Sequence, residues 1–200
     1  LAERDIRTGI KYDPQNINMW QNLAGVLMQG DRWEQAAAVV DSLLLFAPRN
    51  SGAYVMRTQV AMNLKDTVTA LAMAVKAVEC DSSYIPGFFN RALVHSYMHR
   101  PMLSLSDFDR VLELDPTSSL GYFNRAIVRT EIGDYNRALE DFNSVAHYSP
   151  NNVLVYYNRA QLHIQLGDIN AAIADYTRAI ELYPDFANAY LGRSVLRRSQ

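Results

Sequence analysis

Proline recurs at Pro14, Pro48, Pro116, Pro150 and Pro184, with successive gaps of 34, 68, 34 and 34 residues, and Ser82 stands in the slot left open by the double gap. The residues between keep the same register. Val153–Phe186 reads VLVYYNRAQLHIQLGDINAAIADYTRAIELYPDF, and 34 residues earlier Ser119–Asn152 reads SLGYFNRAIVRTEIGDYNRALEDFNSVAHYSPNN. A fixed period of this length constrains the fold more than any other feature. Each unit is too small to bury its own apolar surface and must stack on its neighbours. Five full units run over 17–50, 51–84, 85–118, 119–152 and 153–186. Residues 1–16 match the second half of a unit and 187–200 the first half of another. The whole of 1–200 therefore reads as a single array, and from its opening on Leu1 it is expected to be a piece of a longer chain.

Within a unit, apolar residues return at three- and four-residue spacing, as Ala172, Ile173, Tyr176, Ala179 and Ile180 do. That spacing is the mark of an amphipathic helix. Gly133-Asp134 and Gly167-Asp168 supply a stop for one helix and a cap for the next. The proline closing each unit blocks continuation of the second helix, since it has no N–H and clashes with the preceding turn. These signals predict helices over 17–29, 33–46, 51–63, 67–80, 85–98, 101–114, 119–131, 135–148, 153–165, 169–182 and 187–198, with one more over most of the first dozen residues. The expected fold class is all-α, built from stacked antiparallel helix pairs.

Composition narrows the function. A net charge of −2 with 20% charged residues exerts no bulk pull toward nucleic acid or anionic membrane. No uninterrupted apolar run approaches the roughly 20 residues of a spanning helix, so a soluble chain without membrane insertion is expected. Cys80 is the one cysteine, so it forms no internal disulfide and leaves the compartment undetermined.

The aligned residues resemble the tetratricopeptide repeat (TPR), a 34-residue helix–turn–helix unit. The fourth residue of each unit is aromatic (Trp20, Tyr54, Phe88, Tyr122, Tyr156, Tyr190) and the eighth is small in most (Ala24, Ala92, Ala126, Ala160, Ser194). Ala36, Ala70, Ala138 and Ala172 fill the small slot of the second helix, and Phe108, Phe142 and Tyr176 the aromatic slot four residues on. The resemblance implies a right-handed α-α superhelix, a TPR solenoid, whose first helices line a concave groove. Unit 51–84 departs at Thr58, Ala74 and Ser82, unit 85–118 has His99-Arg100-Pro101 for its turn, and the Gly30-Asp31 turn reads one residue early. The first two units are expected to pack less regularly than the last two.

What the resemblance implies for function is protein or peptide binding in the groove, by the second, fifth, sixth, ninth, twelfth and thirteenth residues of each first helix. The sixth residue reads Asn22, Met56, Asn90, Asn124, Asn158 and Gly192. Asparagine offers a donor and an acceptor to a peptide backbone, in an arrangement similar to the asparagine ladder of the TPR region in O-GlcNAc transferase. The plainer alternative bonds it only to water or to a neighbouring repeat. Beside the ladder, Phe89, Phe123 and Tyr157 hold the fifth position, with Leu93 and Ile127 at the ninth. They form either an anchoring strip or inter-repeat packing.

The seventh residue is arginine at Arg57, Arg91, Arg125, Arg159 and Arg193, and Asp107, Asp141 and Asp175 recur in three of the second helices. Their shared period favours ion pairs tying the two helices over a clamp for acidic partners. The carboxylate clamp of chaperone-binding TPR domains needs lysines in successive first helices, and the fifth positions here hold none. His95 and His99 lie four apart on one expected helix, a spacing that can share a metal, but no third ligand accompanies them and His95 and His163 fill the usual tyrosine slot. No phosphate loop, nucleophile motif or carboxylate pair is present. The expectation is a non-catalytic interaction scaffold with no cofactor and no metal. Its alternatives are self-association through uncovered terminal helices, at Ala2 and Ile6 and at Tyr190, Leu191 and Val195, or a recognition segment of a larger enzyme.

Overall fold

The structure, a computed structural model, describes residues 2–198, with side chains from Glu3 onward. The reading of Ala2 as an uncovered apolar side chain falls outside the described residues. Helices α1 (Ala2–Tyr12), α2 (Ile17–Gln29), α3 (Trp33–Phe46), α4 (Ser51–Asn63), α5 (Thr67–Cys80) and α6 (Ile85–Tyr97) are followed by α7 (Pro101–Leu114). The chain continues through α8 (Ser119–Glu131), α9 (Tyr135–Tyr148), α10 (Val153–Gln165), α11 (Ile169–Leu182) and α12 (Ala187–Arg198). The described residues are all-α, a succession of antiparallel helix pairs, and no helix among them is long and apolar enough to cross a membrane.

Two compact units divide within α7, one of Leu1–Arg110 and one of Val111–Gln200. The first buries Leu23, Leu27, Val40 and Leu43 between α2 and α3, with a further cluster of Ala61, Ala70, Ala74 and Val94. The second has one core running from Ala126 through Phe142 and Tyr156 to Leu196. Fully buried alanines at 36, 70, 138 and 172 let paired helices approach closely. In the remaining repeat Ser104 holds this slot, and its buried hydroxyl donates to the Ala92 carbonyl at 2.9 Å.

Helix starts are set by side-chain caps. The Asn16, Asn50, Ser118 and Asn152 side chains accept from backbone N–H groups at the starts of α2, α4, α8 and α10. The unit-ending prolines have a second role. Trp20 Nε1 donates to the Pro14 carbonyl at 2.8 Å, and the Tyr54, Tyr122 and Tyr156 hydroxyls donate to those of Pro48, Pro116 and Pro150 at 3.0, 3.2 and 2.9 Å. Phe88, which follows the unit lacking proline, has no hydroxyl to donate.

One residue in each inter-helix turn is left-handed: Asp31, Lys65, His99, Gly133 and Gly167, with φ of 54°, 60°, 53°, 78° and 79°. The next residue in each turn donates back to the first helix, from Arg32, Asp66, Arg100, Asp134 and Asp168 to the carbonyls of Leu27, Ala61, His95, Arg129 and His163. This is the Schellman closure. It corrects two expectations. The first turn is in register, because Asp31 and not Gly30 holds the left-handed slot. Helix α6 stops at Tyr97 instead of residue 98, since the closure caps it at Met98 and turns the chain at His99.

Candidate functional site

The arginine–aspartate seam is built identically in three repeats. Arg91 donates to both oxygens of Asp107 at 2.9 and 2.6 Å, Arg125 to Asp141 at 3.0 and 2.6 Å, and Arg159 to Asp175 at 2.8 and 2.7 Å. Each guanidinium also lies 5.5 Å from the ring centre of the aromatic three residues before it, Phe88, Tyr122 or Tyr156. The carboxylates are buried. Hydrogen bonding to Asp107 and Asp175 raises the pKa of Arg91 and Arg159, so both stay charged and paired.

Sequence reasoning missed the third members of this seam. Arg129 adds a 2.8 Å contact to Asp141, and in the equivalent place His95 and His163 stand 4.0 and 3.8 Å from Asp107 and Asp175. Arg159 also reaches Asn143 at 2.8 Å and Arg193 reaches Thr177 at 3.1 Å, each 16 residues upstream. Arg57 does the same to Asp41 at 2.8 Å, because Met73 occupies its own downstream slot. The 16-residue offset in both directions was the signal available.

The asparagines do not behave alike. Asn90, Asn124 and Asn158 each donate Nδ2 to the carbonyl four residues earlier, at Pro86, Leu120 and Leu154, over 2.8, 2.9 and 2.8 Å. That bond fixes the amide and leaves Oδ1 as the outward acceptor. In Asn90, only 8% exposed, Oδ1 already accepts from Gln59 Nε2 at 3.3 Å. Asn124 and Asn158 are half-buried, and Oδ1 of each receives no donor among the described residues. Asn22 is exposed.

Fifth-position aromatics pack inward and outward at once. Phe89, Phe123 and Tyr157 are half-buried, with ring centres 5.6, 5.8 and 5.8 Å from those of Phe108, Phe142 and Tyr176 in the paired second helix. The first two contacts are edge-on, the arrangement that favours aromatic pairs. Leu93 is exposed and Ile127 half-buried.

In the second unit an open site of about 540 Å³ lies between α8 and α10. Ile127 and Thr130 form one wall; Asn158, Gln161, Ile164 and Gln165 form the other. Phe142 and Tyr176 contribute from the second helices, and Tyr135 closes one side. The two walls come from the sixth, ninth, twelfth and thirteenth positions, so the register points to them, whereas Tyr135 is outside that set. A site of this size is in the range of ligand pockets.

His95 and His99 are not brought together as ligands, because His99 lies beyond α6 in its left-handed turn. No cluster of three His, Cys, Asp or Glu suited to a metal occurs among the described residues. Cys80 ends α5 half-buried.

Comparison with known proteins agrees with this geometry. Tetratricopeptide repeat family models match residues 108–140 and 153–186. No curated protein matches the chain by sequence. Among solved structures, YrrB, described as a TPR protein with an unusual peptide-binding site, is 21% identical, with 94% of this chain and 97% of that one covered at a TM-score of 0.72. A tetratricopeptide repeat protein from Parabacteroides merdae is 21% identical, covering 99% and 78%, at 0.77. The chain in the Cut9–Hcn1 hetero-tetramer of the APC/C is 14% identical, covering 97% of this chain and 39% of that one, at 0.83. With the 34-residue period and the capped helix pairs, the family matches identify residues 108–140 and 153–186 as tetratricopeptide repeats, the repeat of a family of protein-interaction scaffolds.

Proposed function

We propose that this chain is a non-catalytic scaffold that binds a peptide segment or a partner helix along the outward faces of its first helices. The observation that carries the reading is Asn158. Its amide is fixed by Leu154, its Oδ1 is unclaimed, and it lines an open site flanked by aliphatic side chains. Asn124 has the same fixed amide, and both suit a peptide backbone N–H. Phe123, Tyr157 and Ile127 serve as anchors beside them, and Asn22, Phe89 and Leu93 have the corresponding places in the first unit. Asn90 acts there through its bond to Gln59, as a positioning residue.

The test is selection of a random peptide display library on the 200-residue chain. Selected peptides are then measured against Asn124→Ala/Asn158→Ala and, separately, Phe123→Ala, with helicity checked by circular dichroism. Loss of about tenfold or more in affinity, roughly 1.4 kcal/mol, with helicity intact supports the reading. Variants that bind like the parent overturn it. The exposed Leu191 and Val195 on α12 favour self-association as a second reading. Mass measured against concentration by sedimentation tests it.

A further inference from the structure

We infer that the open site of the second unit selects an uncharged segment, seating an aliphatic or aromatic side chain between Ile127, Tyr135 and Ile164 while a backbone N–H donates to Asn158 Oδ1. This rests on the reading of the first helices as the binding surface and names the chemistry of what they bind.

The chain has 19 basic and 21 acidic residues, yet none of the ten residues lining the site is charged. On α8, α10 and α12 the outward positions carry charge only at Glu131 and Arg198, both in the last turn of their helices. Taken by themselves, the equivalent positions of α2, α4 and α6 in the first unit carry none. Of the nearby cations, Arg159 is paired with Asp175, and Arg129 shares the Asp141 carboxylate with Arg125; neither lines the site.

A charged side chain entering this site would lose hydration and meet no counter-ion among the lining residues, a cost that neutral groups escape. What the site offers instead is amide and hydroxyl groups from Asn158, Gln161, Gln165 and Thr130, with the aliphatic faces of Ile127 and Ile164. Leu120 and Leu154, more than half exposed at the second positions of α8 and α10, extend the apolar surface. An exposed apolar strip with neutral polar groups fits an apolar, uncharged partner.

The experiment uses peptides selected on the full chain from a random display library. Their charge is counted, and their Kd is measured from about 0.05 to 0.5 M sodium chloride, across which exposed ion pairs are screened. The expected result is a selected core free of Asp, Glu, Lys and Arg, with Kd changing less than about twofold across that range. Gln161→Lys and Gln165→Lys, at exposed positions that tolerate the change, are expected to weaken these peptides and to select acidic ones instead. Selected peptides that share a charge, lose affinity with salt and still depend on Asn124 and Asn158 would overturn this inference and leave the scaffold reading standing. A library that yields no binder removes both.

Discussion

A Cβ on Gly192 would lie 2.5 Å from Cζ of Tyr176 and 2.8 Å from its hydroxyl oxygen, so the glycine lets α12 close over that ring. Gly192 holds the sixth position, where the two preceding repeats have Asn124 and Asn158. One repeat before Asn158 the second helix carries Phe142, and one repeat before Gly192 it carries Tyr176, which reaches both the Asn158 site and Gly192. The series of asparagines therefore ends where a larger ring takes the space.

Gly192→Ala is expected to cost about 1–3 kcal/mol, because the buried ring is rigid and cannot yield without moving α11. Urea unfolding measures this. Paired with Tyr176→Leu, the same change should cost less than the sum of the two singles.

Asp175→Ala leaves the half-buried Arg159 guanidinium without its bidentate partner, held only by Asn143, and is expected to cost up to about 3 kcal/mol. The exposed Arg178–Glu181 contact on the same helix is the control, and Glu181→Ala should barely change the unfolding midpoint.

The left-handed turn positions predict opposite signs. Gly133→Ala and Gly167→Ala should each destabilise by about 1 kcal/mol, since a Cβ is disfavoured at that φ. His99→Gly should relieve the same strain and stabilise by up to about 0.5–1 kcal/mol, less what glycine returns to the unfolded chain as entropy. Thermal unfolding of the three variants decides it.

Burial lowers the pKa of His95 below its ordinary value of 6.5, against the opposing pull of Asp107, and Nδ1 has no hydrogen-bond partner. The unfolded chain takes up this proton near pH 6.5 while the folded chain resists it. Stability is then fully present above that pH and falls as pH drops below it, by at most about 1.4 kcal/mol per pH unit for one proton. His95→Phe should flatten the stability profile of the chain between about pH 6.5 and the lower folded value.

Helix placement was legible because its causes are local. Gly133-Asp134 and Gly167-Asp168 announce a stop and a new start, and the prolines announce ends; the Asn16, Asn50 and Asn152 caps emerge only in the structure. The Asp31 turn was harder to place, since Gly30 beside it is the more obvious left-handed residue and only the 34-residue register reveals the true position. The candidate site was legible as a set of positions but not as individual roles. Asn90 and Asn158 are the same residue in the same slot. They differ because Gln59, 31 residues before Asn90, fills its acceptor, whereas Ile127, 31 residues before Asn158, has no donor. Tyr135 escaped notice because it opens a second helix.

The short reach of the bonds described above bears on how the chain folds. Tyr156 to Pro150 spans 6 residues, Arg159 to Asp175 spans 16, and Gln59 to Asn90 spans 31. Each closes within a single 34-residue period, so the loop-closure entropy of forming it stays small. Ordering can begin in either unit and spread to adjacent repeats, and chain length adds little to the barrier. A defect in one repeat then reaches its immediate neighbours and leaves distant helices protected against hydrogen exchange.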